Sequence, residues 1–336
     1  MKNIFRTSVL ILLFFSGQAL CPAFDGSVRP FSIIDVHEHI QDKSQAIKYN
    51  DAMAEMSIRS ILLMGSPDQV LMEPENGLTG FTGFEKNNEE LLAICKEAPG
   101  LYHAFASFSP DDPRMLEKLK SFLAKGGKGL KLYNGHYRFY DFFKIPLDAP
   151  HMMRVYAYCE KNRVPIVFHA NARYYWPELK RVLDAYPELT VNLAHFCMAL
   201  IDLDRIALIL NTYPNVYTDI SCGEGKLAYT TLEYISRYWK LYQGLIRTYK
   251  DRFLFATDMV LTEDPSKDAE YVTGVFSCYR DMLEKKRYTG ILLDRYLAES
   301  RIEKTAQNSQ FNGLSLDADT LRHIYEINPK RFLGLQ

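Results

Sequence analysis

From residue 31 onward the chain switches repeatedly between two hydrophobic periods, and that alternation limits the folds open to it more than any other feature. Short runs rich in apolar and β-branched residues occupy positions 31–39, 58–65, 101–108, 128–133, 165–170, 190–197, 216–222 and 253–258. Segments of helical spacing lie between them, clearest at 88–98, 113–125, 152–162, 177–186, 203–213 and 230–250. Strand-then-helix repetition is the pattern of βα units building a parallel sheet. The punctuation agrees. Asp112-Pro113 and Trp176-Pro177 put proline in a first helical turn, Gly126-Gly127 closes one helix, and Pro187 and Pro214 follow two others.

Eight strands with helices between them predict an α/β protein of the closed (β/α)8 TIM-barrel type. An open doubly wound sheet is the alternative, but no G-x-G-x-x-G loop follows the first strand and no P-loop sequence occurs. No internal repeat or linker interrupts the pattern, so residues 24–336 read as a single catalytic domain. Lys and Arg (40) nearly balance Asp and Glu (41) without a long run of either sign, which argues against nucleic acid as a partner and for a small-molecule substrate. Cys21, Cys95, Cys159, Cys197, Cys222 and Cys278 are scattered and form no C-x-x-C pair. A homo-oligomer stays open.

Residues 1–23 read as a secretory signal peptide: Lys2 and Arg6 precede an apolar run, and Ser16, Gly17 and Ala19 follow it. The run is too short to span a bilayer stably. An exported protein, periplasmic or secreted, is expected. A lipid anchor at Cys21 is the lesser alternative, since Gln18-Ala19-Leu20 fits such processing poorly.

In a parallel barrel the chemistry sits at the C-terminal ends of the strands. There the first strand carries His37-Glu38-His39, the fourth Lys131, the fifth His169, the sixth His195 and the eighth Asp258. Side chains two apart on a strand face the same way, so His37 and His39 point to one interior place and Glu38 faces outward. By the same alternation His169 shares its face with Val167, His195 with Leu193 and Cys197, and Asp258 with Ala256. Any one of these histidines could be an ordinary core residue. Four of eight histidines, with an aspartate and a lysine, at the same end of the strands point instead to a metal site.

These residues resemble the amidohydrolase superfamily, in its amidohydrolase-related (amidohydrolase-2) branch of metal-dependent TIM-barrel hydrolases, which also holds decarboxylases. The similarity spans residues 31–334 and rests on Ile34-Asp35-Val36-His37-Glu38-His39, Gly129-Leu130-Lys131-Leu132-Tyr133, Val164-Pro165-Ile166-Val167-Phe168-His169, Asn192-Leu193-Ala194-His195, Arg252-Phe253-Leu254-Phe255-Ala256-Thr257-Asp258 and Asn328-Pro329-Lys330-Arg331-Phe332-Leu333-Gly334. The resemblance implies that His37, His39, His169 and Asp258 bind one divalent metal, zinc or manganese. It implies catalytic roles for Asp258 as proton acceptor, for His195 in charge stabilisation or protonation, and for Lys131. In binuclear members a lysine in that place is carbamylated and bridges a second metal, with the fifth- and sixth-strand histidines serving that metal. An unmodified Lys131 would instead neutralise an anionic substrate.

Substrate-binding candidates follow strands four and five: Tyr133, Asn134, His136, Arg138, Asn171, Arg173, Tyr174, Tyr175 and Trp176. Arg173 suits a carboxylate or phosphate, and Tyr133 and Trp176 suit a planar group. Glu224 is a candidate second acid or base, and Cys197 lies near the site without an activating neighbour. The leading expectation is a hydrolase that activates water at a divalent metal to cleave a small amide, ester or lactone. The alternatives are a metal-dependent decarboxylase of an aromatic or unsaturated acid, and an exported non-enzymatic metal- or ligand-binding protein.

Overall fold

The computed structural model describes residues 31–40, 43–65, 83–300 and 310–335. The expected signal peptide and Cys21 lie outside the described residues. The strands of the main sheet are β1 (Ile33–Ile40), β2 (Ile58–Gly65), β3 (Tyr102–Ser107), β4 (Gly129–Gly135), β5 (Ile166–Ala170), β6 (Val191–Leu193), β7 (Val216–Asp219), β8 (Phe253–Leu254) and β9 (Met259–Leu261). They are parallel and ordered β8-β7-β6-β5-β4-β3-β2-β1-β9. β8 and β9 are the two halves of one interrupted eighth stave, and that segment closes the ring. On one side Ile220 N–H donates to Leu254 O and Gly223 N–H to Thr257 O; on the other Val36 N–H donates to Phe255 O and Asp258 N–H to His37 O. The fold is the expected TIM-barrel type.

Helices fill the outer layer because their buried faces repeat at helical spacing. Tyr49, Ala52, Met53 and Met56 line the inner face of helix Ile47–Met56 and pack on helix Ala269–Glu284, with Tyr49 6.1 Å from Phe276. The single helix expected over 230–250 is two, Lys226–Arg237 and Trp239–Thr248, broken at Tyr238. A short antiparallel pair, β10 (Arg287–Tyr288) with β11 (Phe311–Asn312), brackets helix Ile291–Glu299.

The barrel interior has two tiers. Towards the strand starts Ile34, Val36, Leu62, Met64, Phe105, Val167, Tyr217, Leu254 and Ala256 form an apolar floor. The C-terminal helix Asn328–Leu333 plugs it from below, with Phe332 stacked 6.3 Å from Phe105 and 5.8 Å from Tyr217. Asn328 Nδ2 fixes that plug by donating to Lys250 O (2.7 Å) and Phe253 O (2.8 Å). The upper tier is polar and carries the site.

Candidate metal centre

Strict alternation along β1 would send His37 and His39 to the face opposite Ile34 and Val36, yet both sets face the interior. A register shift resolves this. Asp35 pairs with Ile61 and Glu38 with Leu63, so Val36 and His37 together oppose one residue of β2. The bulge turns the strand over between floor and mouth, a use of bulges common beside functional sites. Glu38 points away from the interior as expected. It is fully buried there, accepting from Tyr49 OH (2.7 Å) and from Thr257 Oγ1. A second shift on β4 places Tyr133 and Asn134 opposite the single residue His169 of β5.

His37 Nδ1 lies 3.1 Å from Asp219 Oδ2, and His39 Nδ1 lies 3.3 Å from the carbonyl of Gly65. Both partners are acceptors, so each Nδ1 carries the proton and each Nε2 presents a lone pair. Those two nitrogens converge on one oxygen, Asp258 Oδ1, at 3.2 and 3.1 Å. One ligand atom from each of His37, His39 and Asp258 falls within a 4.8 Å span. Three acceptors facing one point is the donor set a divalent cation needs.

Electrostatics agree. Burial pushes His37 down to about 3, helped by Lys131, and pushes His39 down as well, so both imidazoles are neutral ligands at pH 7. Burial works to raise the Asp258 carboxyl, but the imidazoles of His37, His195 and His39 favour its charged form whenever they are protonated, and so hold it below the ordinary carboxylate range. Asp258 leaves the strand to reach this place: its φ is 59°, and its N–H is held by His37 O at 2.8 Å.

His169 stands beside this group. Its buried Nε2 has no hydrogen-bond partner among the described residues, and its ring lies 4.8 Å from His195 and 4.6 Å from His136. An orphaned buried imidazole nitrogen fits a ligand that a metal would satisfy. Lys131 is completely buried, with Nζ 2.5 Å from His37 Nε2, the contact a metal would replace.

His195 corrects the strand-six expectation. β6 ends at Leu193, which faces the helix layer, while Asn192 faces inward and donates to Asp219 Oδ2 at 2.7 Å. Alternation would therefore turn His195 outward. Four successive residues in the left-handed region, His195 (φ 58°), Phe196 (53°), Cys197 (59°) and Met198 (51°), swing it back. Such backbone costs about 1–2 kcal/mol per residue, and hydrogen bonds offset it. His195 N–H donates to Asp219 Oδ1 (2.9 Å), Cys197 N–H to Thr218 Oγ1 (2.9 Å), and Met198 N–H to Ala194 O (3.1 Å). His195 Nδ1 meets Ser221 Oγ at 2.8 Å and Ser221 O at 3.1 Å, and its Nε2 faces Asp258 Oδ2 at 3.5 Å.

Asp219, Ser221 and Asn192 were not among the sequence candidates. Asp219 ends β7, and the strand-end rule would have found it had that strand not been extended to 222. His37, His195 and Asp219 also offer atoms close enough for a cation. Asp219 is already surrounded by donors from His37, Asn192, His195 and Ser221, so it orients the centre rather than ligating.

The other candidates divide by place. Tyr133 lines the centre, donating to Gly65 O at 3.0 Å with its ring 6.2 Å from His39. His136 packs on His169, and burial pushes it down to about 4. Asn171 turns its own loop, its Oδ1 accepting from Arg173 N–H (3.0 Å) and Tyr174 N–H (2.9 Å). Arg173, Tyr174 and Arg138 are exposed, and Tyr175 stacks on Tyr140 at 3.9 Å. Trp176 is not brought to the histidines; its ring meets Tyr213 (6.4 Å) and the Arg205 guanidinium (4.9 Å) in the helix layer. Asn134 is buried on β4. Glu224 accepts from Lys267 Nζ and from Tyr271 OH (2.7 Å), tying the loop after β7 to the segment after β9. Burial pushes the Cys197 thiol up to about 12, leaving it inert.

Comparison with known proteins places this geometry. The family described as Amidohydrolase matches residues 34–335. No curated protein matches the sequence. Among solved structures, 2,6-dihydroxybenzoate decarboxylase from Rhizobium is similar with a TM-score of 0.56 at 16% identity, covering 90% of this chain and 99% of that one. An amidohydrolase from Burkholderia multivorans has a TM-score of 0.54 at 14% identity, covering 90% and 99%. A dihydroxybenzoic acid decarboxylase from Polaromonas sp. JS666, with bound manganese and the inhibitor 2-nitroresorcinol, has a TM-score of 0.54 at 14% identity, covering 90% and 97%. At these identities the likeness is one of fold.

Proposed function

Since this chain belongs to the amidohydrolase family and is an enzyme of that metal-dependent class, we propose that it is a lyase removing carbon dioxide from a small aromatic or unsaturated carboxylic acid. The observation that carries the proposal is an ammonium set against an aromatic wall on the β4 side of the centre. Lys131 Nζ stands 5.0 Å from the centre of the Tyr133 ring, which lies 6.0 Å from Phe139. A flat anion would set its carboxylate towards Lys131 and its ring beside Tyr133. Burial pushes Lys131 down only to about 8, so it remains largely cationic at pH 7. The decarboxylases that share the fold, one of them holding manganese and 2-nitroresorcinol, support the same choice.

His37, His39, Asp258 and His169 are the residues that would hold a divalent ion, which supplies Lewis-acid polarisation of an anionic substrate oxygen when bound. Zinc and manganese both suit this donor set. The chain's own residues handle the proton. With His195 Nδ1 committed to Ser221, His195 Nε2 is the lone pair left to take a proton from solvent and pass it to the carbon that loses the carboxyl group. Asp258, held ionised 3.5 Å away, orients that imidazole.

Hydrolysis of a small amide, ester or lactone is the second reading. An ionised Asp258 beside His195 favours it, because that pair suits taking a proton from water and giving one to a leaving group. Manganese-loaded protein tested on hydroxylated benzoates, unsaturated acids, amides, esters and lactones separates the two. The proposal expects carbon dioxide release and a product shorter by one carboxyl group; cleavage of a lactone or amide without carbon dioxide release overturns it. Export by way of residues 1–23 is likewise proposed, and N-terminal sequencing of the secreted protein tests it.

A further inference from the structure

We propose that Asp219 is a positioning residue that sets two imidazoles of the centre at once, fixing the tautomer of His37 and the backbone that carries His195. The inference rests on the metal-centre reading given above. Asp219 is completely buried at the end of β7, and its two oxygens accept from four residues. Oδ2 takes His37 Nδ1–H at 3.1 Å and Asn192 Nδ2 at 2.7 Å. Oδ1 takes the N–H of His195 at 2.9 Å, the N–H of Ser221 at 3.1 Å and the hydroxyl of Ser221 at 2.6 Å.

Each contact has a separate consequence. A carboxylate offers no proton, so His37 must carry its own on Nδ1 and turn the Nε2 lone pair to the interior, where Lys131 Nζ meets it at 2.5 Å. The His195 N–H is the first amide of the left-handed turn, so the bond to Oδ1 holds the turn at its entrance. Ser221, its hydroxyl hydrogen spent on Asp219, can only accept at Oγ, and His195 must therefore donate from Nδ1. His195 Nε2 is freed by the same logic. One carboxylate thus determines which nitrogen each ring offers to the interior, the role outer carboxylates serve for metal-bound histidines. Asparagine in its place would present an amide N–H to one side and could not serve both rings.

The test begins with metal-free protein carrying 15N-labelled histidine. The proposal expects His37 and His195 to bear their protons on Nδ1; protons on Nε2 in the wild type overturn it, whatever any variant does. Affinity for Mn2+ is then measured by competition with a chelator. Asp219→Asn should lose the single-tautomer pattern and weaken metal binding by about 10- to 100-fold, the range typical of such outer partners. Ser221→Ala should release the His195 tautomer while metal affinity stays within about twofold. Metal bound equally well by Asp219→Asn and the wild type, with both tautomers kept, overturns the positioning role and leaves the metal centre standing. A wild type with both tautomers as expected but no metal affinity supports the positioning role and removes the metal centre instead.

Discussion

His39 Nε2 lies 3.1 Å from Asp258 Oδ1, and with the His39 proton on Nδ1, which faces the carbonyl of Gly65 at 3.3 Å, no proton joins them. Two lone pairs at that separation repel unless a cation lies between them. His37 repeats the arrangement against the same oxygen. Barrel, bulge and outer hydrogen bonds all act to keep these three acceptors together.

Lys131 tells one metal from two. If it is an unmodified ammonium that meets the substrate, Lys131→Met keeps one ion per chain while affinity for a carboxylate ligand falls at least about tenfold, the loss of one charge-assisted hydrogen bond. Metal analysis alongside inhibitor binding checks this. Two ions in the wild type and fewer in Lys131→Met would mark a carbamylated, bridging lysine.

Acid should destabilise the metal-free protein. His37 is fully buried with its folded pKa pushed down to about 3, while an unfolded imidazole titrates near 6.5. Its contribution is complete above pH 6.5 and is lost as pH falls through the window towards 3, by about 1.4 kcal/mol per pH unit. Melting temperatures between pH 7.5 and 5 should fall accordingly in the wild type, and the slope should flatten in His37→Gln.

Thr218 secures the left-handed turn. Its Oγ1 accepts from Cys197 N–H and donates to Leu193 O at 2.7 Å, all buried. Thr218→Val keeps the shape and strands two backbone groups, which should cost about 2–4 kcal/mol. Chemical denaturation measures it. A loss under about 0.5 kcal/mol would mean that the turn stands without this hydroxyl.

Gly135 is required by close approach rather than by conformation. A Cβ there would sit 2.4 Å from Ala170 Cα and 2.8 Å from His169 O, both on the backbone of β5. Gly135→Ala should therefore destabilise by at least about 1–3 kcal/mol and displace His169, lowering metal affinity as well. Equal metal affinity in this variant would separate His169 from the ligand set.

Much of this was legible in the sequence because strands and helices differ in period. The starts of β2, β7 and β8 fall where the apolar runs begin, at 58, 216 and 253. The pairing of His37 with His39 followed from two-residue alternation. Alternation failed where the backbone departs from it: the bulge between Asp35 and Glu38 and the left-handed residues 195–198. Such departures depend on partners distant in the chain, such as Thr218 and Asp219, and no local pattern announces them. Trp176 lies away from the histidines, since its place next to the site loop in sequence says nothing about which side of helix Trp176–Ala185 its ring occupies.

The most direct test of the central claim is a count of metal ions. Protein loaded with Mn2+, freed of loose ions and measured by mass spectrometry should carry about one ion per chain, and His39→Ala and Asp258→Ala, prepared in the same way, should carry none. Equal metal content in the wild type and both variants would contradict the account.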